Sequence, residues 1–358
     1  MESTQTIKNK IKRDTLEKLL INEVPEFIIK QRTKNNVFFD EQQNMLKLGD
    51  LTSSRKLNSL AELRSFAQTI LVARTILDAK KEVGYTTQRD IFYRALETIK
   101  GTKINTFEEQ KESNAIIEDL EVYTGLFREE MGVITDPKGF VTGKLKLKGK
   151  SRDEEQIIDC TKGLTGQLVP PNIHEIEIID VDADYVLVIE KGGIFTTLRE
   201  VGFDKKNKCI ICTAHGQPDR ATRKLVRRLN IEHHLPVYIL TDCDPWGWYM
   251  GYAVYRIGSQ NLGYESERLA CPNAKYIGIY PSDIENLELD RGIISAEKID
   301  ITRAENMKKL KWFNDERWQK EISLFLKKKK KLEIPALSQK GFRYLADTYI
   351  PNKIKELK

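Results

Sequence analysis

The sequence predicts a multidomain α/β protein, with an N-terminal winged-helix domain and a C-terminal domain built on a parallel βαβ sheet. The first observation is the element order over residues 61–150, where three helical patterns precede a hairpin. The second is a series of short apolar strands after residue 176 that alternate with helical patterns. The third is length, because 358 residues correspond to two or three domains of ordinary size.

Composition excludes several classes of protein. Hydrophobic residues make up 40% of the chain and charged residues 31%, so the chain is neither wholly disordered nor collagen-like. We find no run of about 18 apolar residues and no signal peptide, and we expect neither secretion nor membrane insertion. The five irregularly spaced cysteines indicate reduced thiols in an intracellular compartment. We interpret Cys209 and Cys212 as packed strand thiols rather than a metal or redox site.

Residues 1–60 are predicted to form an N-terminal arm and a small hairpin. The first 35 residues or so are Lys-rich and carry apolar side chains close to helical spacing. Such a stripe could dock inside this chain or on a partner, and it is our candidate docking segment. The hairpin joins 37–39 to 45–48 across a polar turn.

Residues 61–150 are predicted to form the winged-helix domain. Apolar spacing predicts three helices and a two-stranded wing, at about 60–81, 87–100, 115–131, 132–135 and 140–150. Thr87 is the expected N-cap of the second helix, with Asp90 three residues later. The polar stretch that follows predicts a linker over 151–175.

Residues 176–358 are predicted to form the sheet domain and a set of charged C-terminal helices. Its short β-rich strands are predicted at 185–189, 210–212, 237–240 and 276–279. The helical patterns between them favour parallel connections in a doubly wound sheet. In such a sheet the chemistry is carried by polar residues just past the carboxyl ends of the strands.

Carboxylates follow two of these strands. Glu190 ends the first strand, and Asp242 and Asp244 follow the third. Because the carboxyl ends of parallel strands meet at one edge, we expect the three side chains to converge there. Hard oxygen donors suit Mg²⁺, which takes one or two protein carboxylates together with phosphate oxygens. The alternative for the two aspartates alone is that they form the turn and cap of the next helix.

A tyrosine lies four residues after an arginine on the second predicted helix. Arg89 and Tyr93 therefore lie one turn apart, beside a buried face that includes Ile91 and Ala95. An arginine that binds a phosphate bidentately can support attack by a tyrosine on a phosphodiester. The alternative is a half-buried structural tyrosine. The place of Tyr93 and Arg89 in a presumed winged domain that would face DNA favours a nucleophile supported by an arginine, and both interpretations stay open here.

Basic side chains form further clusters. Lysines alternate with leucines along the second wing strand, so their ammonium groups line one face. We predict that this face tracks phosphates, although lysines are also typical of solvated edge strands. The predicted DNA contacts are Lys138, Lys144, Lys146, Lys148 and Lys150 around the wing, and Arg220, Arg223 and Lys224 on a later helix. The run 327–331 is interpreted as a solvated helix end.

These features together resemble the family of type IIB DNA topoisomerase A subunits and meiotic double-strand-break transesterases. Five segments carry the resemblance, at 89–93, 186–191, 216–223, 240–247 and 280–285, and the predicted wing at 132–144 matches as well. They correspond in order to the tyrosine motif, the first strand of a Toprim domain, a family signature, the DxD strand end and a second signature. Gly192 and Gly193 depart from the bulkier or charged residues that the resemblance leads us to expect.

The resemblance implies a homodimer that cleaves double-stranded DNA. Tyr93 of one protomer would attack a backbone phosphorus and form a 5′-phosphotyrosyl link. Glu190, Asp242 and Asp244 would hold Mg²⁺, and Glu190 would also shuttle a proton. The sequence contains no P-loop, so ATP hydrolysis would come from a GHKL-class ATPase B subunit in an A2B2 heterotetramer. ATP-dependent strand passage with the B subunit would make the enzyme a DNA topoisomerase, in the isomerase class.

Two other functions stay open at this point. One is a meiotic-type transesterase that cuts without strand passage, and the other is a non-enzymatic DNA-binding scaffold. The compact length and the high Lys and Glu content favour an archaeal topoisomerase. We expect a cytoplasmic, nucleoid-associated protein in an archaeon and a nuclear one in a eukaryote, with no membrane partner in either.

Overall fold

The computed structural model of the chain describes residues 26–151, 154–260 and 263–357. The chain forms two compact units. Within the described residues, the helical unit comprises 26–38 and 48–136, and the sheet unit comprises 39–47 and 137–357. Most of the predicted N-terminal docking stripe precedes residue 26 and lies outside the described residues.

Within residues 26–38 and 48–136, the helical unit combines short strands with three α-helices. Its strands, including a hairpin that it shares with the sheet unit, are β1 (Glu26–Lys30), β2 (Val37–Asp40), β3 (Met45–Leu48), β4 (Thr52–Lys56), β5 (Thr86–Thr87) and β6 (Val133–Ile134). Its helices are α1 (Leu63–Glu82), α2 (Gln88–Ala95) and α3 (Gln110–Thr124). The predicted hairpin is present as β2 and β3. β1 pairs antiparallel with β4, so this part of the predicted helical stripe is a strand.

The three helices pack their apolar faces into one core. Ile76 of α1, Ile91 of α2 and Ile117 of α3 are each fully buried in it. Complete burial of a side chain of this size stabilises the fold by about 1.5–3 kcal/mol. The helical spacing therefore predicted the inward faces, because apolar residues three or four apart lie on one side of a helix.

Two helix ends differ from the prediction. α2 ends at Ala95 rather than near residue 100, because Leu96 has extended backbone angles and the chain turns back to pair Thr98 with Asn105. α3 ends at Thr124 rather than near residue 131. Its C-cap is Gly125, whose φ of 68° lies in the left-handed region that ends helices.

The sheet unit contains eleven strands within the described residues. They are β7 (Phe140–Thr142), β8 (Leu145–Ser151), β9 (Glu154–Asp159), β10 (Gln167–Leu168), β11 (Glu177–Val181), β12 (Tyr185–Ile189), β13 (Cys209–Thr213), β14 (Val237–Leu240), β15 (Lys275–Tyr276), β16 (Ile293–Ser295) and β17 (Lys330–Leu332). Its α-helices are α4 (Gly192–Glu200), α5 (Phe203–Lys206), α6 (Arg220–Glu232), α7 (Val254–Ile257), α8 (Ser266–Leu269), α9 (Pro281–Asn286), α10 (Lys298–Met307), α11 (Glu316–Lys328) and α12 (Ile350–Lys355). A π-helix (Gly247–Ala253) follows β14, and the segment Ile334–Lys340 is a 3-10 helix.

The central sheet has the order β10-β7-β13-β12-β14-β15. β12 lies between β13 and β14 and pairs parallel with both. β14 also pairs parallel with β15, which confirms the predicted parallel arrangement. Val188 and Ile239, which pair across β12 and β14, are almost completely buried, as expected for a sheet covered on both faces.

The predicted wing hairpin is wrong. β6 pairs parallel with β5 in the helical unit, whereas β7 pairs antiparallel with β13 in the central sheet. The boundary between the units falls after residue 136 rather than at residue 150. The physical reason is that β7 continues the apolar sheet, where Val141 is completely buried, instead of pairing with its neighbour in sequence.

The predicted linker over 151–175 is also wrong. Its described part contributes β9 to a three-stranded sheet in the order β11-β8-β9, and β10 to the central sheet. Cys160 and Val169 within it are buried. The segment looked like a linker because its polar residues line exposed strand faces, a pattern that composition alone does not separate from a loop.

All five cysteines are free and buried, which confirms their interpretation as packed thiols. Burial raises the pKa of Cys209 to about 12, so this thiol stays protonated at neutral pH. Among the residues in view, no helix is both long and apolar enough to cross a membrane.

Candidate active site

Helix α2 is held at its start by a capping box. The backbone N–H of Asp90 donates to the Thr87 hydroxyl at 3.1 Å, and the backbone N–H of Thr87 donates to the Asp90 carboxylate at 3.3 Å. These bonds satisfy two donors that a helix start leaves unpaired. The sequence predicted this cap, and the cap fixes the first turn from which Arg89 projects.

Tyr93 points away from the core. Ile91 and Ala95 of the same helix are fully buried, whereas 58% of the Tyr93 side chain is exposed. The guanidinium carbon of Arg89 lies 5.8 Å from the centre of the Tyr93 ring, and the Phe92 ring lies 5.3 Å from it. Within the described part of the chain, no carboxylate pairs with Arg89. An accessible phenol thus lies beside a guanidinium that is free to bind an anion.

The sheet brings two of the predicted acidic positions into contact. Glu190 directly follows β12, and Asp242 lies two residues after the neighbouring parallel strand β14. The backbone N–H of Asp242 donates to Glu190 Oε2 at 3.3 Å. The prediction that carboxylates gather at the carboxyl ends of these strands rested on this parallel pairing.

The carboxylate of Asp242 is held from both sides. Its Oδ1 accepts the backbone N–H of Ile334 at 2.7 Å, and its Oδ2 pairs with Lys191 Nζ at 2.8 Å. Lys191 also pairs with Glu333, at 2.9 Å. Asp244 accepts the backbone N–H of Gly247 at 2.6 Å, so it caps the following helix, as the alternative interpretation of the aspartates proposed.

Burial is the main influence on the pKa values of the carboxylates at this edge of the sheet, and mutual repulsion adds to it. Burial, together with the charges of Asp242 and Asp244, raises the pKa of Glu190 to about 7. Burial also raises the pKa of Asp242, against the opposing effect of Lys191, and that of Asp244. The three carboxylates lie close enough for their charges to interact, which is the condition under which a bound cation stabilises such a cluster.

The three carboxylates do not form a ready-made metal cage. Among the described residues, no group of three or more His, Cys, Asp or Glu side chains has the arrangement of a metal site. The ammonium of Lys191 is the cation at Asp242. The donor chemistry nevertheless fits Mg²⁺, because this ion binds through one or two carboxylates and completes its shell with water and phosphate oxygens.

Two glycines allow close approaches around Glu190. A Cβ on Gly247 would lie 3.1 Å from Glu190 Oε2, so the π-helix is able to start directly against this carboxylate. A Cβ on Gly192 would lie 2.4 Å from the His215 ring, which occupies the space of a side chain. A side chain at position 192, where the resemblance leads us to expect one, would therefore require the exposed His215 ring to move.

Glu190 makes the stability of the metal-free protein depend on pH. Its pKa is raised in the folded state from 4.5 to about 7, so the folded state binds the proton more tightly and stability falls as the pH rises through this range. We expect Glu190→Gln to be more stable than the wild type at pH 8 in EDTA, by up to about 3 kcal/mol. This stability difference between the variant and the wild type should disappear near pH 4.5, the ordinary pKa of a glutamate carboxyl. Thermal unfolding at the two pH values measures both effects, and equal unfolding temperatures at pH 8 would contradict the expectation.

The lysines of β8 alternate with buried leucines as predicted. Leu145 and Leu147 are fully buried, and the ammonium groups point to the other face. Three of the lysines pair with carboxylates there, Lys144 with Asp182 at 2.7 Å, Lys146 with Asp180 at 3.1 Å and Lys148 with Glu155 at 2.9 Å. Lys138 and Lys150 are exposed. DNA phosphates would have to compete with these acids for the paired lysines.

Arg223 of the second predicted cluster is not available at the surface. It is 2% exposed, and its guanidinium pairs with the completely buried Glu265 at 3.2 Å. Arg220 pairs with the other oxygen of Glu265, at 3.3 Å. The prediction of Arg223 as a DNA contact is therefore wrong, because a buried carboxylate neutralises it inside the unit. Lys224, next to it on α6, is half-buried.

The sequence prediction missed the partners of Asp242. Lys191 belongs to the segment 186–191 that carries the family resemblance, but the sequence predicted no role for it. In the structure it pairs with the carboxylate of Asp242. Ile334 and Glu333 lie about 90 residues further along the chain and carry no motif. The only sequence signal for these partners was the pair Glu190 and Lys191 at the end of a strand. Nothing in the sequence indicated that residues 333–334 lie against Asp242 and Lys191.

Two family models match the chain. The model of the Toprim domain that Spo11 shares with topoisomerase 6 A subunits matches residues 185–354, which contain the three carboxylates. The model described as "Type IIB DNA topoisomerase" matches residues 64–133, which contain Arg89 and Tyr93. The two matches cover the predicted catalytic and metal-binding residues, whereas the predicted DNA-binding lysines at 138–150 lie between the two matched ranges.

Three of the similar proteins match over nearly their full length. Each of them bears the name of the A subunit of type 2 DNA topoisomerase 6. The protein of Hyperthermus butylicus is 45% identical over 361 residues, covering 96% of this chain and 92% of the relative. That of Saccharolobus shibatae is 45% identical over 355 residues, covering 94% and 89%. That of Pyrococcus abyssi is 37% identical over 352 residues, covering 95% and 91%.

Proposed function

Because this chain belongs to the topoisomerase 6 A-subunit family of type IIB DNA topoisomerases, we propose that it is a DNA-cleaving and resealing subunit with Tyr93 as its nucleophile. The placement of Tyr93 carries the proposal. Its phenol is exposed on a capped helix, beside an arginine that no carboxylate neutralises within the described residues. A structural tyrosine would instead bury its ring in the core that Ile91 and Ala95 enter.

The proposed reaction exchanges one phosphodiester for another. Tyr93 Oη attacks the phosphorus, an O–P bond forms to the tyrosine, and the bond between phosphorus and the 3′ oxygen breaks. The phosphorus stays on the 5′ end, the phenol gives up its proton, and the 3′ oxygen takes one up. Arg89 binds the phosphate and stabilises the charge that develops on it. Because the bond type is conserved, the reverse reaction reseals the strand without an external energy source.

We also propose Mg²⁺ as the cofactor. The chain carries a Toprim domain, a metal-binding domain. Glu190, Asp242 and Asp244 would hold the ion, whose charge would offset the burial and the mutual repulsion that together raise the pKa of Glu190. When bound, the ion supplies charge neutralisation at the phosphate. Glu190, at the carboxyl end of β12 and next to Asp242, is the residue that we propose to carry the proton to the 3′ oxygen.

The proposal includes partners. Double-strand cleavage requires two tyrosines, so we propose a homodimer in which Tyr93 of one protomer works with the acidic residues of its partner. Strand passage requires ATP hydrolysis, and the sequence contains no P-loop. We therefore propose a GHKL-class ATPase B subunit in an A2B2 heterotetramer. The archaeal relatives support a nucleoid-associated protein of an archaeal cytoplasm.

The proposed DNA contacts are the exposed lysines Lys138, Lys144, Lys146 and Lys150 and the half-buried Lys148, Arg220 and Lys224. Each phosphate contact that is lost should reduce the slope of log affinity against log salt by about 0.9. Lys146→Ala with Lys148→Ala should therefore flatten the slope by up to about two. A salt titration of duplex binding measures the slope. If it does not change, these lysines serve only the ion pairs with Asp180 and Glu155.

A supercoiled-plasmid assay tests the function as a whole. The chain is combined with the B subunit from the same organism, ATP and Mg²⁺, and the products are separated with and without detergent. We expect relaxed topoisomers that require ATP, together with protein-linked breaks trapped by the detergent. Breaks without relaxation would indicate a transesterase of the meiotic type, and the absence of both products would indicate a non-enzymatic scaffold.

A further inference from the structure

One of the four tryptophans differs from the others in exposure. Trp246 is 38% exposed, whereas Trp248, Trp312 and Trp318 are between 0% and 7% exposed. An indole is costly to leave in water, since its burial contributes more than that of most side chains. A half-exposed tryptophan in a unit with a large core therefore requires a reason.

Trp246 lies directly at the acidic edge of the sheet. It is the second residue after Asp244, whose carboxylate accepts the backbone N–H of the residue after the tryptophan, Gly247, at 2.6 Å. The next residue, Gly247, lies so close to Glu190 that a Cβ there would be 3.1 Å from the carboxylate. The indole therefore projects from the loop that carries two of the proposed metal ligands.

A cation stacks on this indole. The guanidinium carbon of Arg303, on α10, lies 4.5 Å from the centre of the Trp246 ring. Asp300, one turn earlier on α10, is bound by Lys331 at 2.7 Å. Across the residues that the structure describes, no carboxylate pairs with Arg303. The guanidinium of Arg303 therefore keeps its hydrogen-bond donors available, although it lies beside the acidic residues.

We propose that Trp246 and Arg303 form a nucleotide-contacting pair beside the acidic residues. The exposed part of the indole stacks on a base or sugar next to the scissile phosphate, and the guanidinium binds a neighbouring backbone phosphate. Stacking on aromatic side chains and phosphate binding by arginine are general means of holding a nucleic-acid strand without sequence preference. The inference rests on the proposed function and adds a substrate contact that aligns the strand with the acids.

Intrinsic fluorescence tests the pair directly, because Trp246 is the exposed emitter. Duplex DNA with a nick or gap is titrated into the full-length chain. We expect DNA to quench the emission of the wild type and to leave that of Trp246→Phe nearly unchanged. Trp246→Ala should weaken binding by about fivefold or more, and Trp246→Phe should restore most of it. Arg303→Ala should flatten the salt dependence of binding by about one phosphate contact.

Arg317→Ala is the matched control. Arg317 also stacks on an aromatic ring, at 4.3 Å from the centre of Tyr280, but that ring is only 3% exposed. We expect this variant to bind DNA like the wild type. Thermal unfolding of each variant identifies a loss of fold, and the aromatic variant Trp246→Phe keeps the test valid if Trp246→Ala unfolds.

The outcomes separate this inference from the proposed function. Covalent adducts with no quenching, and equal binding by Trp246→Ala, would overturn the inference and leave the function standing. A quench that follows protein concentration or added B subunit rather than DNA would also overturn it, because the indole would then lie in a protein interface. Loss of both DNA binding and adducts in the wild type would overturn the inference together with the proposed function.

Discussion

Tyr93→Phe will abolish covalent protein–DNA adducts while leaving duplex binding nearly unchanged. The substitution removes one oxygen, the atom proposed to bond to phosphorus, and keeps a ring that is 58% exposed and makes little contribution to the core. Adducts trapped by detergent should fall below detection, and the affinity should change by less than about threefold, within the effect of a typical surface substitution. Labelled duplex, detergent quenching and gel separation measure the adducts.

Tyr123→Phe is the control for this experiment. Tyr123 is also a partly exposed tyrosine of the helical unit, 36% exposed, with its ring centre 5.4 Å from that of Phe27. This variant should form adducts at the wild-type rate. Arg89→Ala should slow adduct formation by about 100-fold or more without abolishing it, since it removes one charge-stabilising group but keeps the nucleophile. Adducts that persist in Tyr93→Phe would refute the assignment.

The double substitution Asp242→Asn with Asp244→Asn will remove Mg²⁺-dependent cleavage. Both changes keep the shape of the side chain, so the amide oxygens still accept the N–H groups of Ile334 and Gly247. They remove two negative charges from the acidic edge, and with them most of the affinity for a hard divalent cation. We expect cleavage to fall by at least about 1000-fold, since metal ions supply several kcal/mol of transition-state stabilisation.

Glu288→Gln with Asp290→Asn matches this variant in charge and spacing. Both side chains are exposed carboxylates of the sheet unit, two residues apart. Cleavage by this control should stay at the wild-type level over a Mg²⁺ titration. If the Asp242 and Asp244 variant cleaves equally well at every Mg²⁺ concentration, the metal site lies elsewhere in the protein.

Much of the proposed nucleophile site could be predicted because its determinants are local. A helix start needs only a cap and an acid three residues later, and Thr87 and Asp90 meet that condition. The burial of Ile91 then decides that Tyr93 lies outside, since residues on one helix have fixed relative directions. Similarly, β12 and β14 run parallel, so their carboxyl ends lie at the same edge of the sheet. Glu190 and Asp242, which follow these strands, therefore lie at that edge.

The errors about β7 and Arg223 concern partners that are distant in sequence. Strand β7 looked like half of a hairpin, but its hydrogen-bonding partner is β13, about 70 residues later. Arg223 looked like a surface contact because its helix is rich in arginine, yet Glu265 neutralises it in the interior. A pattern in one segment does not report which other segment covers it, so these errors follow from the limits of local spacing.

The sequence by itself determined which side chains are chemically able to act, because the helix with Tyr93 and the strand ends with Glu190 and Asp242 depend on patterns a few residues long. Only the tertiary structure decided the surroundings that set their charge. Lys191 and the N–H of Ile334 hold Asp242, and Arg303 covers the indole of Trp246. These contacts depend on how elements far apart in the chain pack, and the free energy of that packing is a property of the whole unit rather than of any single segment.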